Sequence, residues 1–75
     1  RIGRVVTYSP TLADFEVQVP DGEGWRTVAT VRNATTDAIE ATFAPVETKV
    51  IRLQITRLRQ GETLSRVWEI EAYEK

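Results

Sequence analysis

The chain contains no cysteine and no histidine among its 75 residues. These two absences exclude disulfide bonds, zinc fingers, histidine-based metal centres and histidine-dependent catalytic triads within the chain. Net charge is also nearly absent, because ten basic residues offset eleven acidic ones and neither sign is concentrated in a block. Such a balance gives no electrostatic surface for nucleic acid or for a membrane. We therefore expect no nucleic-acid partner.

Long apolar runs are missing as well, and none approaches the roughly 20 residues that a transmembrane helix needs. A length of 75 residues fits a single small domain. Arg1 stands first and no signal-peptide pattern follows it, so we expect the chain to be a segment of a longer protein. The sequence thus predicts one domain, without a transmembrane segment, that belongs to something larger.

What the sequence does contain is a period-two alternation of apolar and polar residues. In residues 48–57, Ile51 and Leu53 fall on one face of a strand and Arg52 and Gln54 on the other. Turn-forming proline, glycine, asparagine and aspartate residues separate six such stretches. The predicted strands span residues 2–8, 14–19, 25–31, 38–43, 48–57 and 67–74. This pattern indicates an all-β fold, an antiparallel, jelly-roll-like β-sandwich of about six strands.

The order of the strands predicts where the loops meet. If successive strands run in opposite directions, the loops at residues 9–13, 32–37 and 58–66 lie at one end of the sandwich. These loops are longer and more polar than the turns at the other end, so we expect any ligand site among them.

Two tryptophans occur in the alternating stretches. Trp25 shares its phase with Ala29 and Val31, and Trp68 shares its phase with Ile70. Apolar neighbours in the same phase predict that both indoles lie in the core.

Four phrases of the sequence occur in a recognisable order. They are D-F-E-V-Q-V at residues 14–19, D-G-E-G-W-R-T-V at 21–28, F-A-P-V-E-T-K-V-I-R-L-Q-I-T at 43–56, and V-W-E-I-E-A-Y at 67–73. Together they resemble the C-terminal half of a discoidin-type domain, the galactose-binding-like jelly roll of coagulation factor type C domains and of bacterial carbohydrate-binding modules. The resemblance implies that residues 1–75 form a single, partial domain that lacks the N-terminal half. Three explanations stay open: a fragment of a larger protein, pairing with itself or another chain, or a reduced sandwich.

The resemblance further implies a non-catalytic, carbohydrate-binding module that is an accessory part of a larger secreted protein, located outside the cell or at its surface. An arginine beside an amide can hold vicinal sugar hydroxyls, because both groups donate hydrogen bonds and the amide also accepts them. The candidate ligand-binding residues in the long loops are Arg32, Asn33, Arg57, Arg59, Gln60 and Glu62. The other interpretation of these loops is an ordinary solvated turn and a solvated charged hairpin.

Glu69 occupies the place of the first glutamate in the phrase E-I-E-V-Y that closes domains of this family. The resemblance implies that Glu69 is a ligand of a structural calcium ion, together with oxygen ligands from the N-terminal half. For this chain alone we expect no cofactor.

Residues that suggest catalysis are few. Ser9 and Ser65 have no base that would activate them. Glu69 and Glu71 share a strand face about 6.5–7 Å apart, near the separation of a glycosidase carboxylate pair, but two carboxylates at this spacing usually just face water. We therefore expect no enzyme. The alternative to carbohydrate binding is a structural or assembly domain whose sheet docks on another chain or domain.

Overall fold

The computed structural model describes residues 1–74, which form six β-strands and no helix. The strands are Ile2–Tyr8 (β1), Leu12–Asp21 (β2), Gly24–Val31 (β3), Ala38–Val46 (β4), Arg52–Leu58 (β5) and Glu69–Tyr73 (β6). They make two three-stranded antiparallel sheets, with the strand orders β4-β1-β6 and β3-β2-β5. The predicted antiparallel sandwich of six strands is confirmed. A helix that is long and apolar enough to cross a membrane does not occur among the described residues.

The chain passes from one sheet to the other at every connection except the β2–β3 hairpin. The β1–β2, β3–β4 and β5–β6 connections meet at one end of the sandwich, called here the long-loop end. Ser9 N donates to Asp37 O at 2.8 Å, and Arg59 N donates to Thr11 O at 2.8 Å. These two backbone hydrogen bonds join all three loops, so the prediction that they share one end is confirmed.

The core lies between the two central strands, β1 and β2. Phe15 and Val17 of β2 and Val5 of β1 are each at most 1 % exposed. Complete burial of such a side chain contributes roughly 1.5–3 kcal/mol. The buried apolar cluster consists of Val5, Leu12, Phe15, Val17, Ile39 and Ala41. The alternating residues of β2 therefore supply the centre of the core.

The two sheets approach each other closely on one side only. β3 lies near β4 across the sandwich, which leaves β5 and β6 together on the other side, each at the edge of its sheet. On that side Leu53 and Ile55 of β5 are only half-buried, and Ile70 of β6 is 43 % exposed. The outer edges of β5 and β6, with their inward-facing apolar side chains, are called the open flank below.

Trp68 stands beside the open flank and is not part of the core. β6 begins at Glu69, and the Trp68 indole just before it is 66 % exposed. Trp68 does share its phase with Ile70, but β5 does not come close enough to cover these side chains. The prediction of a buried indole is wrong because burial depends on the opposite sheet, which an alternating pattern does not specify.

Trp25 is exposed for a different reason. In the register of β3 against β2, Val28 has no partner of its own and forms a β-bulge. One extra residue reverses the faces of the residues on its N-terminal side. Trp25 therefore lies on the outer face, 41 % exposed, where the Arg52 guanidinium stacks 4.4 Å from its ring centre. The prediction that Trp25 shares the core face of Ala29 is wrong.

Every strand except β1 has bounds that differ from the predicted ones, and the two largest differences are at the start of β5 and the end of β4. β5 begins at Arg52 rather than at Thr48, because the Thr48 hydroxyl accepts from Val50 N at 3.1 Å and donates to Val50 O at 2.8 Å, which forms a local turn. β4 continues through Pro45, where a turn was predicted. Proline is tolerated there because β4 is an edge strand.

Gly3 occupies a point of close approach near the start of β1. A Cβ atom at this position would lie 2.5 Å from Glu74 O and 3.0 Å from Pro45 Cγ. Real Cβ atoms do not come this close to backbone oxygen, so the contact between β1 and its two neighbours requires glycine here.

Candidate ligand-binding site

Three polar residues meet across the β3-β2-β5 sheet at its long-loop end. Arg57 of β5 donates from Nε to Oδ2 and from Nη2 to Oδ1 of Asp14 on β2, both at 3.0 Å. The same Nη2 donates to Oδ1 of Asn33, which follows β3. The backbone N–H of Asn33 donates to Asp14 Oδ1 at 2.8 Å. The resulting cluster fixes the arginine as a bidentate partner of a carboxylate.

This geometry lowers the pKa of the Asp14 carboxyl. Hydrogen bonds from Arg57 are the largest cause and the backbone N–H of Asn33 is the second, because both favour the ionised form. Burial acts in the opposite direction, since the Asp14 side chain is only 15 % exposed. The carboxylate in turn raises the pKa of Arg57. Both groups are therefore charged at neutral pH, and their charges cancel.

Asn33 has the backbone conformation that this cluster requires. Its φ of 56° lies in the left-handed region, which asparagine tolerates better than most non-glycine residues. The turn directs the Asn33 N–H towards Asp14, and it allows the next N–H, of Ala34, to donate to Ala13 O at 3.0 Å. The β3–β4 loop is thereby fastened to the start of β2.

Arg59 uses all five of its N–H donors within the protein. Nε donates to Leu12 O at 3.0 Å, Nη1 to Pro10 O at 3.0 Å and to Asp37 Oδ1 at 2.9 Å. Nη2 donates to Ser9 O at 3.2 Å and to Thr36 O. One guanidinium thus joins all three long loops. It is a positioning group, since no donor is left for a ligand.

A surface cavity of about 320 Å³ opens beside the cluster. It is lined by Ala13, Asn33, Ala34, Thr35, Arg57, Arg59 and Gln60. Four of the six residues predicted from the sequence, Asn33, Arg57, Arg59 and Gln60, are therefore brought together at one place. Three polar groups of the lining make no hydrogen bond within residues 1–74: Arg57 Nη1, Asn33 Nδ2 and the Gln60 side-chain amide. These groups are therefore available to a ligand.

Gln60 owes its position to a tight turn. Glu62 N donates to Arg59 O at 3.0 Å, and Gly61 between them has a φ of 85°. A positive φ at the third residue is what such a turn requires, and glycine adopts it without strain. Gln60 is thereby held at the corner of the turn, next to the cavity.

The remaining two predicted ligand residues lie outside this cavity. Arg32 and Glu62 are both exposed, and neither contributes to the cavity lining. Arg32 acts on the cluster at a distance, as a minor contribution to the lowered pKa of Asp14.

The pKa of the Glu71 carboxyl is shifted in the direction opposite to the one that a general acid needs. Its Oε1 accepts hydrogen bonds from the hydroxyl of Tyr73 at 2.7 Å and from that of Tyr8 at 3.0 Å. These bonds lower the pKa of the Glu71 carboxyl, whereas the acid of a glycosidase pair has a raised pKa. The geometry gives Glu71 a structural part in the β4-β1-β6 sheet.

The predicted calcium site at Glu69 has no complete ligand set among residues 1–74. Calcium requires six to eight oxygen ligands. Among residues 1–74, no group of three or more histidine, cysteine, aspartate or glutamate side chains is placed to hold a metal ion. The described residues do not fit calcium by themselves, and a role for Glu69 in a longer chain stays a prediction.

Sequence reasoning missed Asp14, which organises the whole cluster. One signal was present, since Asp14 alternates in phase with Glu16 and Gln18 and so belongs to the outer face of β2. Its partner Arg57 is 43 residues further along the chain. No local pattern specifies such a contact, because it depends on the pairing of β2 with β5.

Comparison of the chain with known proteins gives no further assignment. No protein-family model, no curated protein and no solved structure matches it. The resemblance to discoidin-type domains therefore rests on the four sequence phrases alone.

Proposed function

We propose that the chain is a non-catalytic module that binds a neutral carbohydrate in the cavity at the long-loop end. The observation that carries this proposal is the convergence of Asn33, Arg57 and Gln60 around one cavity. Their unused groups are neutral amides and one edge of a guanidinium that is already paired. Such groups donate to and accept from hydroxyls, which are the polar groups that a sugar presents. As the sequence resemblance implies, the module would serve a larger secreted protein.

The charges of the cavity favour a neutral ligand over an anion. Arg57 is paired with Asp14, and Arg59 is paired with Asp37 at 2.9 Å. Both positive charges are thus balanced within hydrogen-bonding distance. A phosphate or carboxylate ligand would find no unpaired cation in the cavity lining.

The apolar part of the lining also suits a sugar. Ala34 is half-buried, so part of its methyl group is accessible beside the polar residues, whereas Ala13 is buried. A sugar ring has a face of C–H groups and a rim of hydroxyls, and it can place the first on Ala34 and the second on the amides. No aromatic residue lines this cavity, so contact by stacking is not part of the proposal.

Calorimetric titration with neutral mono- and oligosaccharides tests the proposal, with NMR amide shifts to locate the site. Asn33→Gly removes the amide but keeps the left-handed backbone that glycine accepts. Gln60→Ala removes the second amide. We expect each variant to bind about five- to tenfold more weakly, the effect of losing one hydrogen bond of ordinary strength.

Gln54→Ala is the matched control, because Gln54 is an exposed glutamine on the outer face of β5 and does not line the cavity. Its binding should equal that of the unchanged protein. Failure to bind any neutral sugar, or binding that none of these substitutions alters, would overturn the proposal.

The open flank favours a second candidate function, a structural or assembly domain. Trp68 is 66 % exposed, Ile70 43 % and Val67 39 %, and these apolar residues are neighbours in sequence. A cluster of this kind next to two sheet edges is typical of a surface that contacts another protein. Measurement of the oligomeric state in solution tests this function separately from sugar binding, which titration measures.

A further inference from the structure

We infer that a second copy of this chain covers the open flank, with β5 of each copy paired antiparallel to β6 of the other. This inference rests on the assembly function proposed above and does not depend on carbohydrate binding. It names the partner and the strands that meet.

The described strands leave unpaired backbone along the open flank. Within residues 1–74, β5 pairs only with β2, and β6 pairs only with β1. Each strand therefore presents a row of N–H and C=O groups at its outer edge, which is a template for another strand. Residues 63–65 of the β5–β6 loop lie beside Ile55–Leu58 of β5, and the two segments line a groove of about 440 Å³.

The directions of the two edge strands suit pairing between two copies. β5 ends at the long-loop end and β6 begins there, so the two strands run in opposite directions on the same flank. A two-fold axis parallel to the strands, placed between the sheets, brings β6 of one copy beside β5 of the other. The rotation keeps strand direction along this axis, so each new pair is antiparallel. Two continuous six-stranded sheets result, and the contact is the same on both sides, as a closed dimer requires.

The charges on the two edge strands are opposite in sign. The outer face of β5 carries Arg57, which also bonds Asp14 of β2, and Arg52, which bonds the neutral Gln18. The outer face of β6 carries Glu69 and Glu71. Pairing β5 with β6 of a second copy therefore sets a face with two arginines beside a face with two glutamates, and opposite charges on neighbouring strands are stabilising.

Arg57 on β5 and Glu69 on β6 also lie at similar positions along the strand direction, both near the long-loop end. Leu58 pairs with Leu12 at the long-loop end of one sheet, and Glu69 pairs with Tyr8 at the long-loop end of the other. Because the axis keeps levels along the strands, Arg57 of one copy comes next to Glu69 of the second copy. The two-fold relation creates this pair twice in each dimer.

The other two-fold arrangement is disfavoured by the same charges. An axis perpendicular to the sheets would pair β6 with β6 and β5 with β5. Glu71 would then lie near Glu71 of the second copy, and Arg52 near Arg57 of the second copy. Like charges placed directly across a strand pair are destabilising, so the arrangement with β5 beside β6 is preferred.

Sedimentation equilibrium over a dilution series, with Glu69→Arg and Glu23→Arg, tests the inference. Both substitutions reverse the charge of one exposed glutamate, but Glu23 lies in the β2–β3 turn, away from the open flank. We expect the unchanged chain to dimerise. Glu69→Arg should weaken the dimer about tenfold, because it opposes Arg57 of the second copy at two symmetric places. Glu23→Arg should leave the dissociation constant unchanged.

Each other outcome overturns the inference. If the unchanged chain stays monomeric at all concentrations, no second copy covers the open flank. A dimer that Glu69→Arg tightens has β6 beside β6, and a dimer that it leaves unchanged does not use β6. If the chain is monomeric and still binds a sugar, the assembly function is wrong and the sugar-binding proposal stands. If the chain dimerises and binds no sugar, only the assembly function stands.

Discussion

Arg57 and Asp14 form two parallel hydrogen bonds of 3.0 Å across the paired strands β5 and β2. The pair sits at the edge of the cavity and neutralises the arginine that the cavity presents. It also ties the long-loop end to the sheet, because Asp14 holds the backbone of Asn33 as well. Cavity shape and sheet pairing therefore depend on the same carboxylate.

The lowered pKa of Asp14 predicts a dependence of stability on pH. The unfolded chain has the ordinary aspartate pKa of about 3.9, and the folded pKa is lower. Between these two values the unfolded chain binds the proton more readily, so stability is full above about pH 4 and is lost as pH falls through the folded pKa. Asp14→Asn should flatten this acid slope, as measured by urea unfolding at a series of acidic pH values. Glu71, whose pKa is also lowered, should keep part of the slope, and an identical slope in both proteins would contradict the prediction.

Arg59→Lys should destabilise the protein by about 2–3 kcal/mol. Lysine has three donors and no planar fork, so it leaves several of the carbonyls that Arg59 now satisfies without a partner. Arg26→Lys is the control, because its ion pair with Asp21 is 3.9 Å long and exposed, and it should change stability by less than about 0.5 kcal/mol. Urea unfolding gives both values. Equal effects of the two substitutions would show that Arg59 does not join the loops.

Thr7→Val should stabilise the protein by about 1 kcal/mol. The Thr7 side chain is 1 % exposed, and its hydroxyl has no hydrogen-bond partner among residues 1–74. Valine has the same shape and removes the buried, unsatisfied hydroxyl. Thr7→Ser keeps the hydroxyl and loses a methyl group, so it should not stabilise. Thermal unfolding of the three proteins compares them directly, and a destabilised valine variant would mean that the hydroxyl is satisfied.

Gly3→Ala should destabilise the protein by about 1–3 kcal/mol, the usual effect of overpacking. The added Cβ would meet backbone oxygen at 2.5 Å, and backbone moves less readily than a side chain. Gly24→Ala is the matched control, since its nearest neighbour would be Asp21 O at an ordinary 3.9 Å. We expect the control to change stability by less than about 0.5 kcal/mol in urea unfolding. An equally mild effect of Gly3→Ala would contradict the close approach of β1 to Glu74 and Pro45.

Much of the fold could be predicted because strands with one buried face repeat every two residues. The stretch containing Phe15 and Val17 shows this alternation, and it forms the centre of β2 and of the core. The shared end of the three long loops followed from counting strand directions. Of the candidate site, Asn33 and Gln60 could be found from residue type and loop position alone.

The sequence by itself determined the strand segments, the turns and the end of the sandwich at which polar loops collect, because these follow from local patterns. The tertiary structure alone decided which strands pair and which sheet lies opposite. That is why it placed Asp14 against Arg57, turned Arg59 inward onto three loops, and exposed Trp25 through a bulge at Val28. Within residues 1–74 it also left β5 and β6 without a neighbouring strand on the open flank. The physical reason is that burial and pairing depend on contacts between residues far apart in the chain, and an alternating pattern carries the phase of a strand but not the identity of its partner.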